Sequence, residues 1–313
     1  MGLSHTKCVS TARLDGKTVI VTGSNTGIGK FTVQDFYKRG ARVIMACRNA
    51  EKARQAAEDI KKSCEDLQQL GQIEIVNLDL SSLDSVRDCA NKLLECEDKI
   101  NILVNNAGVM MCPKTKTKDG FEMQIGTNHF GHFLFTLLLL PRIIKSAPSR
   151  IVNVSSAAQA KGSINFEDLN FDVREYSPLN AYRQSKLANV LFTKELARKL
   201  DESHIENVTV YSLHPGVIVT ELGRHLDDTY FRGFTLMLSP FRVFMKNVEQ
   251  GAQTSIYCSV DESAGKETGL YYAECAVAEP CANAKDMEAA KKLWDVSFKS
   301  VGLEEDYKPF LAK

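Results

Sequence analysis

Nowhere in these 313 residues do two cysteines form a Cys-x-x-Cys pair. The nine cysteines are scattered and odd in number. That pattern argues against a zinc site and for reduced, structural thiols of a cytosolic compartment. An excess of charge is also missing, because Lys plus Arg and Asp plus Glu both number 39. No global field therefore draws the chain to nucleic acid or to an anionic membrane. Long apolar runs are absent too. Phe133–Leu140 is the most apolar stretch, is stopped by Pro141-Arg142, and falls far short of the ~20 residues that cross a bilayer. Nor is there a secretory h-region, an internal repeat, a low-complexity tract or a linker. What remains is one ordinary soluble domain over 17–313, preceded by an N-terminal extension over 1–16.

That extension carries one signal. Met1-Gly-Leu-Ser-His-Thr6 fits the N-myristoylation pattern, with Lys7 and a second acyl acceptor, Cys8, following. A polar, frayed terminus explains the same residues. A single acyl chain binds membrane only marginally, so a peripheral membrane contact stays open.

Thr18–Thr22 is a β-branched run bounded by turn residues and reads as a buried strand. Gly23-Ser24-Asn25-Thr26-Gly27-Ile28-Gly29 follows, then a helix-period segment from Phe31 to Gly40. Strand, glycine-rich turn and helix in that order open a dinucleotide-binding unit. The glycines let backbone N–H groups approach a pyrophosphate at the helix N-terminus. A second strand, Ala41–Cys47, ends where an NAD-binding protein offers Asp or Glu to the ribose 2′-hydroxyl. This chain has Cys47 and then Arg48. A guanidinium pairs with a 2′-phosphate, so NADP is expected.

Further along, 50–70 reads as a surface helix and Ile73–Leu80 as a third strand, with Asp79 at its end facing either an adenine or only a turn. Ser81 or Ser82 caps the next helix. Ile102–Asn105 is a fourth strand running into Asn106-Ala107-Gly108, small residues against which flat rings can lie. Phe121–Leu140 is apolar nearly all round and predicts a buried helix, with Asn128 needing partners inside it and His129 and His132 as packing residues. Arg150–Ser156 is a fifth strand ending in two hydroxyls, Val208–His214 a sixth, and a helix and last strand run from Asn247 through Tyr272.

Tyr182 and Lys186 lie between the fifth and sixth strands, four apart on a predicted helix and so on one face. A tyrosine at its ordinary pKa of about 10 is a poor acid or base near neutrality, and a neighbouring ammonium is expected to lower that value. The bland alternative is a solvated helix face. Residues 221–250 are rich in Phe, Leu and Met. They read equally as packed helices or as an apolar substrate mouth that touches lipid.

Taken in order, Thr22-Gly23-x-x-x-Gly27-x-Gly29, Asn105-Asn106-Ala107-Gly108, Asn128, Ser156 and Tyr182-x-x-x-Lys186 resemble the short-chain dehydrogenase/reductase family. Ala46-Cys-Arg48, Gly126–His132, Ser185–Val190 and His214-Pro-Gly216 resemble its NADP-preferring retinol dehydrogenase branch. The resemblance implies a doubly wound, mostly parallel Rossmann sheet flanked by helices, in one domain with a helical substrate lid at about 217–250. It implies Tyr182 as acid/base, Lys186 as its partner on the nicotinamide ribose, Ser156 (or Ser155) on the substrate oxygen, and Asn128 placing a relay water. It extends the NADP(H) contacts to Asp79, Leu80, Asn105, Ala107, Gly108, Pro215, Gly216, Ile218 and Thr220. The implied substrate is an apolar aldehyde/alcohol pair, retinal and retinol foremost, with a broader reductase of lipid-derived aldehydes as the alternative. An NADP(H)-sensing binding protein without turnover is the rival of another class. The family often forms dimers, and branch members usually begin with a hydrophobic anchor helix that this chain lacks.

Overall fold

The computed structural model describes residues 6–218, 226–229 and 246–311. Its centre is a sheet in the order β3-β2-β1-β4-β5-β6-β7-β8. The strands are β1 (Thr18–Thr22), β2 (Arg42–Cys47), β3 (Gln72–Asn77), β4 (Ile102–Asn105), β5 (Ser149–Val154), β6 (Val208–His214), β7 (Leu270–Ala273) and β8 (Ala276–Val277). All pairings are parallel except β7 with β8. Because helices cover both faces, the inner strands are continuous apolar runs rather than alternating ones.

Each strand sends successive side chains to opposite faces, and the core divides accordingly. Val19 and Val21 of β1 join a cluster with α1 (Gly27–Lys38), α2 (Ala50–Lys62) and a later helix, which is α8 (Val248–Val260). Ile20 joins the other cluster, with α3 (Leu83–Cys96), α5 (Gly131–Lys145) and α6 (Pro178–Glu202). Strand order reverses between β1 and β4, and the carboxyl ends of these strands open there. Such a switch point is where open α/β sheets bind ligands.

Several expectations need correction. The surface helix expected over 50–70 stops at Lys62. Of the two serines expected to cap α3, Ser82 does so, accepting from the Ser85 N–H. The helix predicted over 121–140 is a composite: a short turn α4 (Met123–Ile125), a π-turn over Gly126–Phe130, then α5, which runs through Pro141 to Lys145. A helical proline strips the carbonyl four residues back of its N–H partner. That carbonyl is Leu137's, and the Tyr307 hydroxyl donates to it at 2.9 Å. The partner comes from far along the chain, so the local sequence around Pro141 does not reveal it.

Helix α9 (Met287–Ser300) was not foreseen either. Its Trp294 packs on Phe133 of α5 and Phe192 of α6, at ring-centroid distances of 5.1 and 6.0 Å. The extension is bound to the domain from residue 8 onward. The Cys8 N–H donates to Gln253, and Arg39 donates to the Ser10 and Ala12 carbonyls. Cys8 is buried, and burial pushes its thiol up. It is therefore not a surface acceptor for a second acyl chain. Of the expected lid, only 217–218, α7 (Leu226–Thr229) and the residues from 246 are described. Thr220 lies outside them. Thr229 donates to the Met111 carbonyl at 2.6 Å, linking α7 to the loop after β4.

Candidate active site

The loops leaving β1 and β4 meet at the switch point with almost no room between them. A Cβ on Gly23 would lie 2.7 Å from the Ala107 Cβ, and one on Gly29 would lie 2.6 Å from Asn106 Nδ2. These two glycines therefore serve loop-on-loop packing first. Thr22 locks the contact, its Oγ1 accepting the N–H groups of Asn106 and Ala107, each at 2.9 Å. With both lone pairs so used, the Thr22 hydroxyl proton goes to His132 Nε2 at 2.9 Å. His132 Nδ1–H then faces the Asn128 carbonyl at 3.1 Å. Burial holds the imidazole neutral, down at about 4. His132 is a packing residue with an assigned tautomer.

Gly27, at φ 55°, turns the chain into α1. Thr26 makes no side-chain cap there, and the first turn holds no acid. The leading N–H groups and the positive end of the helix dipole thus meet no internal anion, which fits a pyrophosphate. Ile28 packs partly buried against the core. Ser24 points inward, donating to the Val21 carbonyl at 3.0 Å, so its hydroxyl is not a surface group for a phosphate. Asn25 is half-buried and Arg48 exposed. Cys47 is buried at the end of β2, and Asn77 donates to the Arg48 carbonyl at 3.0 Å.

Asp79 lines an open cleft together with Arg48 and Asn77. One of its oxygens accepts from the N–H and the hydroxyl of Ser81, which is the turn-acid geometry. Leu80 and Asn105 turn their side chains inward. The Leu80 side chain is buried in the core, and its carbonyl is backed against Gly131. Asn105 is buried within the sheet, donating to Thr136 and Asn153. Neither side chain reaches the cleft.

Opposite stands α6. Ser177 caps it by accepting from the Asn180 N–H, and Pro178 occupies its first turn, where a missing N–H costs nothing. Tyr182 and Lys186 share its inner face, with Lys186 Nζ 5.7 Å from the Tyr182 ring centroid. The Ser156 side chain lies near enough to the Tyr182 phenol to act on its protonation. Ser156 also accepts from the Ala158 N–H at 3.2 Å. Ser155 is spent inside, its hydroxyl donating to the Lys186 carbonyl at 2.6 Å. Of the two serines, Ser156 is the one next to the Tyr182 phenol.

Lys186 donates to the Val154 carbonyl at 3.0 Å. A Cβ on Gly108 would lie 3.3 Å from Asn128 Oδ1 and 3.6 Å from Lys186 Nζ, so both groups face this glycine across a narrow gap. Asn128 is fully satisfied. It accepts from the Val109 N–H and donates to the Val109 carbonyl and to Ser185, which in turn donates to the Tyr182 carbonyl. Ser185 was not singled out from sequence. Three residues past Tyr182, it reads as one more polar helix residue until Asn128 is placed beside it.

The proton energetics reverse one expectation. Burial pushes Tyr182 up to about 12, opposed by the Ser156 side chain, and pulls Lys186 down to about 8. Desolvation outweighs the lowering expected of Tyr182 from a neighbouring ammonium. Such a tyrosine is a protonated donor at neutral pH.

A family profile described as short chain dehydrogenase matches residues 17–230. The chain belongs to the short-chain dehydrogenases. Within that family it falls in the retinol dehydrogenase-like branch. Retinol dehydrogenase 13 of Homo sapiens is 49% identical over 300 residues, covering 95% of this chain and 88% of that one. Among solved structures, an uncharacterised protein from Mycobacterium Paratuberculosis superposes with a TM-score of 0.74 at 34% identity, covering 95% of this chain and 98% of that one. The Pseudomonas aeruginosa RhlG/NADP active-site complex gives 0.64 at 25% identity, covering 83% and 94%. The dehydrogenase is thus an oxidoreductase that uses a nicotinamide cofactor. Among its described residues no helix is long and apolar enough to cross a membrane, and no cluster of side chains is arranged to hold a metal.

Proposed function

We propose that this dehydrogenase interconverts an apolar aldehyde and its alcohol with NADP(H), with retinal and retinol as the leading pair. The observation that carries the reading is Tyr182 and Lys186 together on the inner face of α6, with Ser156 next to the phenol and Gly108 facing the ammonium. The nicotinamide supplies the hydride when bound. The chain's own residues handle the oxygen. Ser156 holds the carbonyl oxygen by hydrogen bonding, and Tyr182, kept protonated by burial, gives that oxygen its proton in the reductive direction. Lys186 is the adjacent cation that steadies the tyrosinate left behind, and Asn128 fixes the turn facing it.

The half-open glycine turn with Pro215, Gly216 and Ile218 would hold the cofactor's two ends, and Arg48 its 2′-phosphate. Support for NADP lies at the end of β2, where Cys47 and Arg48 stand in place of a carboxylate. Support for a retinoid comes from the names of the relatives.

Two measurements test this. Purified protein should oxidise NADPH with all-trans-retinal in clear preference to short-chain aldehydes and a ketone panel. Comparable rates on the small aldehydes would move the reading to a general carbonyl reductase, and tight NADPH binding without turnover to a cofactor sensor. Ser156→Ala should lower kcat by roughly 10²- to 10³-fold. Ser155→Ala should instead cost about 1 kcal/mol of stability, read by denaturant titration, with turnover largely kept. Equal losses of turnover in both variants would remove Ser156 from its special position.

A further inference from the structure

His214 ends β6 and lies outside the Tyr182, Ser156, Lys186 and Asn128 group. Its Nδ1 lies 3.1 Å from the Ala157 N–H and 3.4 Å from the Gly216 N–H. Both partners are donors, so Nδ1 can only accept, and the ring's single proton sits on Nε2. The two donors belong to different loops. Ala157 follows Ser156, and Gly216 belongs to the Pro215–Ile218 turn at the end of β6. One lone pair thus ties the serine-bearing loop to that turn.

The turn is held from its other side as well. The Lys246 stem passes so close that a Cβ on Gly216 would lie 2.6 Å from its Cδ. The Lys246 N–H donates to the Val217 carbonyl at 2.9 Å, and its ammonium pairs with Glu274 in the β7–β8 turn. Ile218 fills the space over Gly251 of α8.

We propose that His214 is a positioning residue: as a neutral acceptor it clamps the Ser156 loop to the Pro215–Gly216 turn, and its protonation opens the clamp. The consequence for turnover rests on the proposed role of Ser156, whereas the clamp itself does not. A protonated imidazole carries N–H on both nitrogens, so Nδ1 would then face two backbone donors with a donor of its own. The charged groups acting on the ring are Lys246, from the start of α8, and Glu274. Burial and the Lys246 ammonium hold the imidazole below its ordinary 6.5, with Glu274 opposing. The sign follows. A histidine whose folded pKa is depressed contributes stability above about pH 6.5, and that contribution is lost as pH falls through the lower, folded value.

Amide hydrogen exchange on the free protein tests the clamp, with protection factors for Ala157 and Gly216 followed from pH 5 to 8. In the wild type both amides should lose protection together as pH falls through the depressed folded value of His214. His214→Asn presents an uncharged oxygen acceptor that does not titrate in this range, and should keep them protected throughout. Identical pH dependence in wild type and His214→Asn overturns the proposal, as does a wild type with no loss of protection.

The pH profile of NADPH-dependent turnover reads the consequence. The wild type should lose activity on the acid side through one protonation, and His214→Asn should stay within about threefold at pH 7.5 with that limb gone. His214→Leu, lacking any acceptor, should lose about tenfold in kcat with NADPH affinity within twofold. Should the leucine variant not fold, the asparagine variant carries the test. Tyr182→Phe run in parallel separates the two readings. If it stays active, the site assignment fails. If it is inactive while His214→Asn keeps the wild-type acid limb, the inference alone fails.

Discussion

Tyr182→Phe is expected to reduce aldehyde turnover by about 10²- to 10⁴-fold, the usual contribution of a positioned general acid. The ring is buried inside α6, and phenylalanine fills the same volume. Only the hydroxyl is lost, together with its interaction with Ser156. The fold should therefore be unaffected within about 1 kcal/mol. NADPH affinity should remain within about twofold, since the Lys186 anchor to Val154 does not involve the phenol. Single-turnover NADPH oxidation and fluorescence titration of NADPH give the two readings separately. Undiminished turnover would take Tyr182 out of the chemistry. Loss of cofactor binding in step with turnover would mean that the hydroxyl serves structure.

Arg48→Asp should weaken NADPH by about 100-fold while leaving NADH within about threefold. Hydrogen bonds to a charged group contribute about 1.5–3 kcal/mol, and the substitution removes an attraction and installs a repulsion. Arg48 is exposed, so part of the effect is screened. The NADPH penalty should shrink as salt is raised, whereas the NADH value should not. The neighbouring residues at the ends of β1 and β2 offer no substitute. Cys47 is buried, and the Ser24 hydroxyl is turned inward. A comparison of the two dissociation constants decides the matter. An unchanged preference would shift recognition of the phosphate to other residues, with Asn25 the next to examine.

Much of this was legible from local signals. The glycine turn, the β-branched strands and the Tyr182/Lys186 spacing each follow from short-range rules of period and conformation. Strand and helix type survived folding almost everywhere, because fully covered parallel strands and amphipathic helices carry their burial pattern in the sequence itself. The interrupted helix around Asn128 was less legible. Its π-turn and its passage through Pro141 depend on partners as distant as Tyr307. Helix α9 was missed although its residues are ordinary helix formers.

Sequence alone determined which chemistry is present: a nicotinamide-type strand–turn–helix, a tyrosine and lysine one turn apart, two serines at a strand end, and no acid at the end of β2. Tertiary structure decided what each group is free to do. It spent Ser155, Ser24 and Asn105 on internal hydrogen bonds and left Ser156 beside Tyr182. It raised Tyr182 and lowered Lys186 by removing water from both. It also gave His214 two donors from loops 57 and 2 residues away. The physical reason is common to these cases. Residue type sets what a side chain can donate or accept, but long-range packing sets its partners and its solvation, and those fix protonation state and availability.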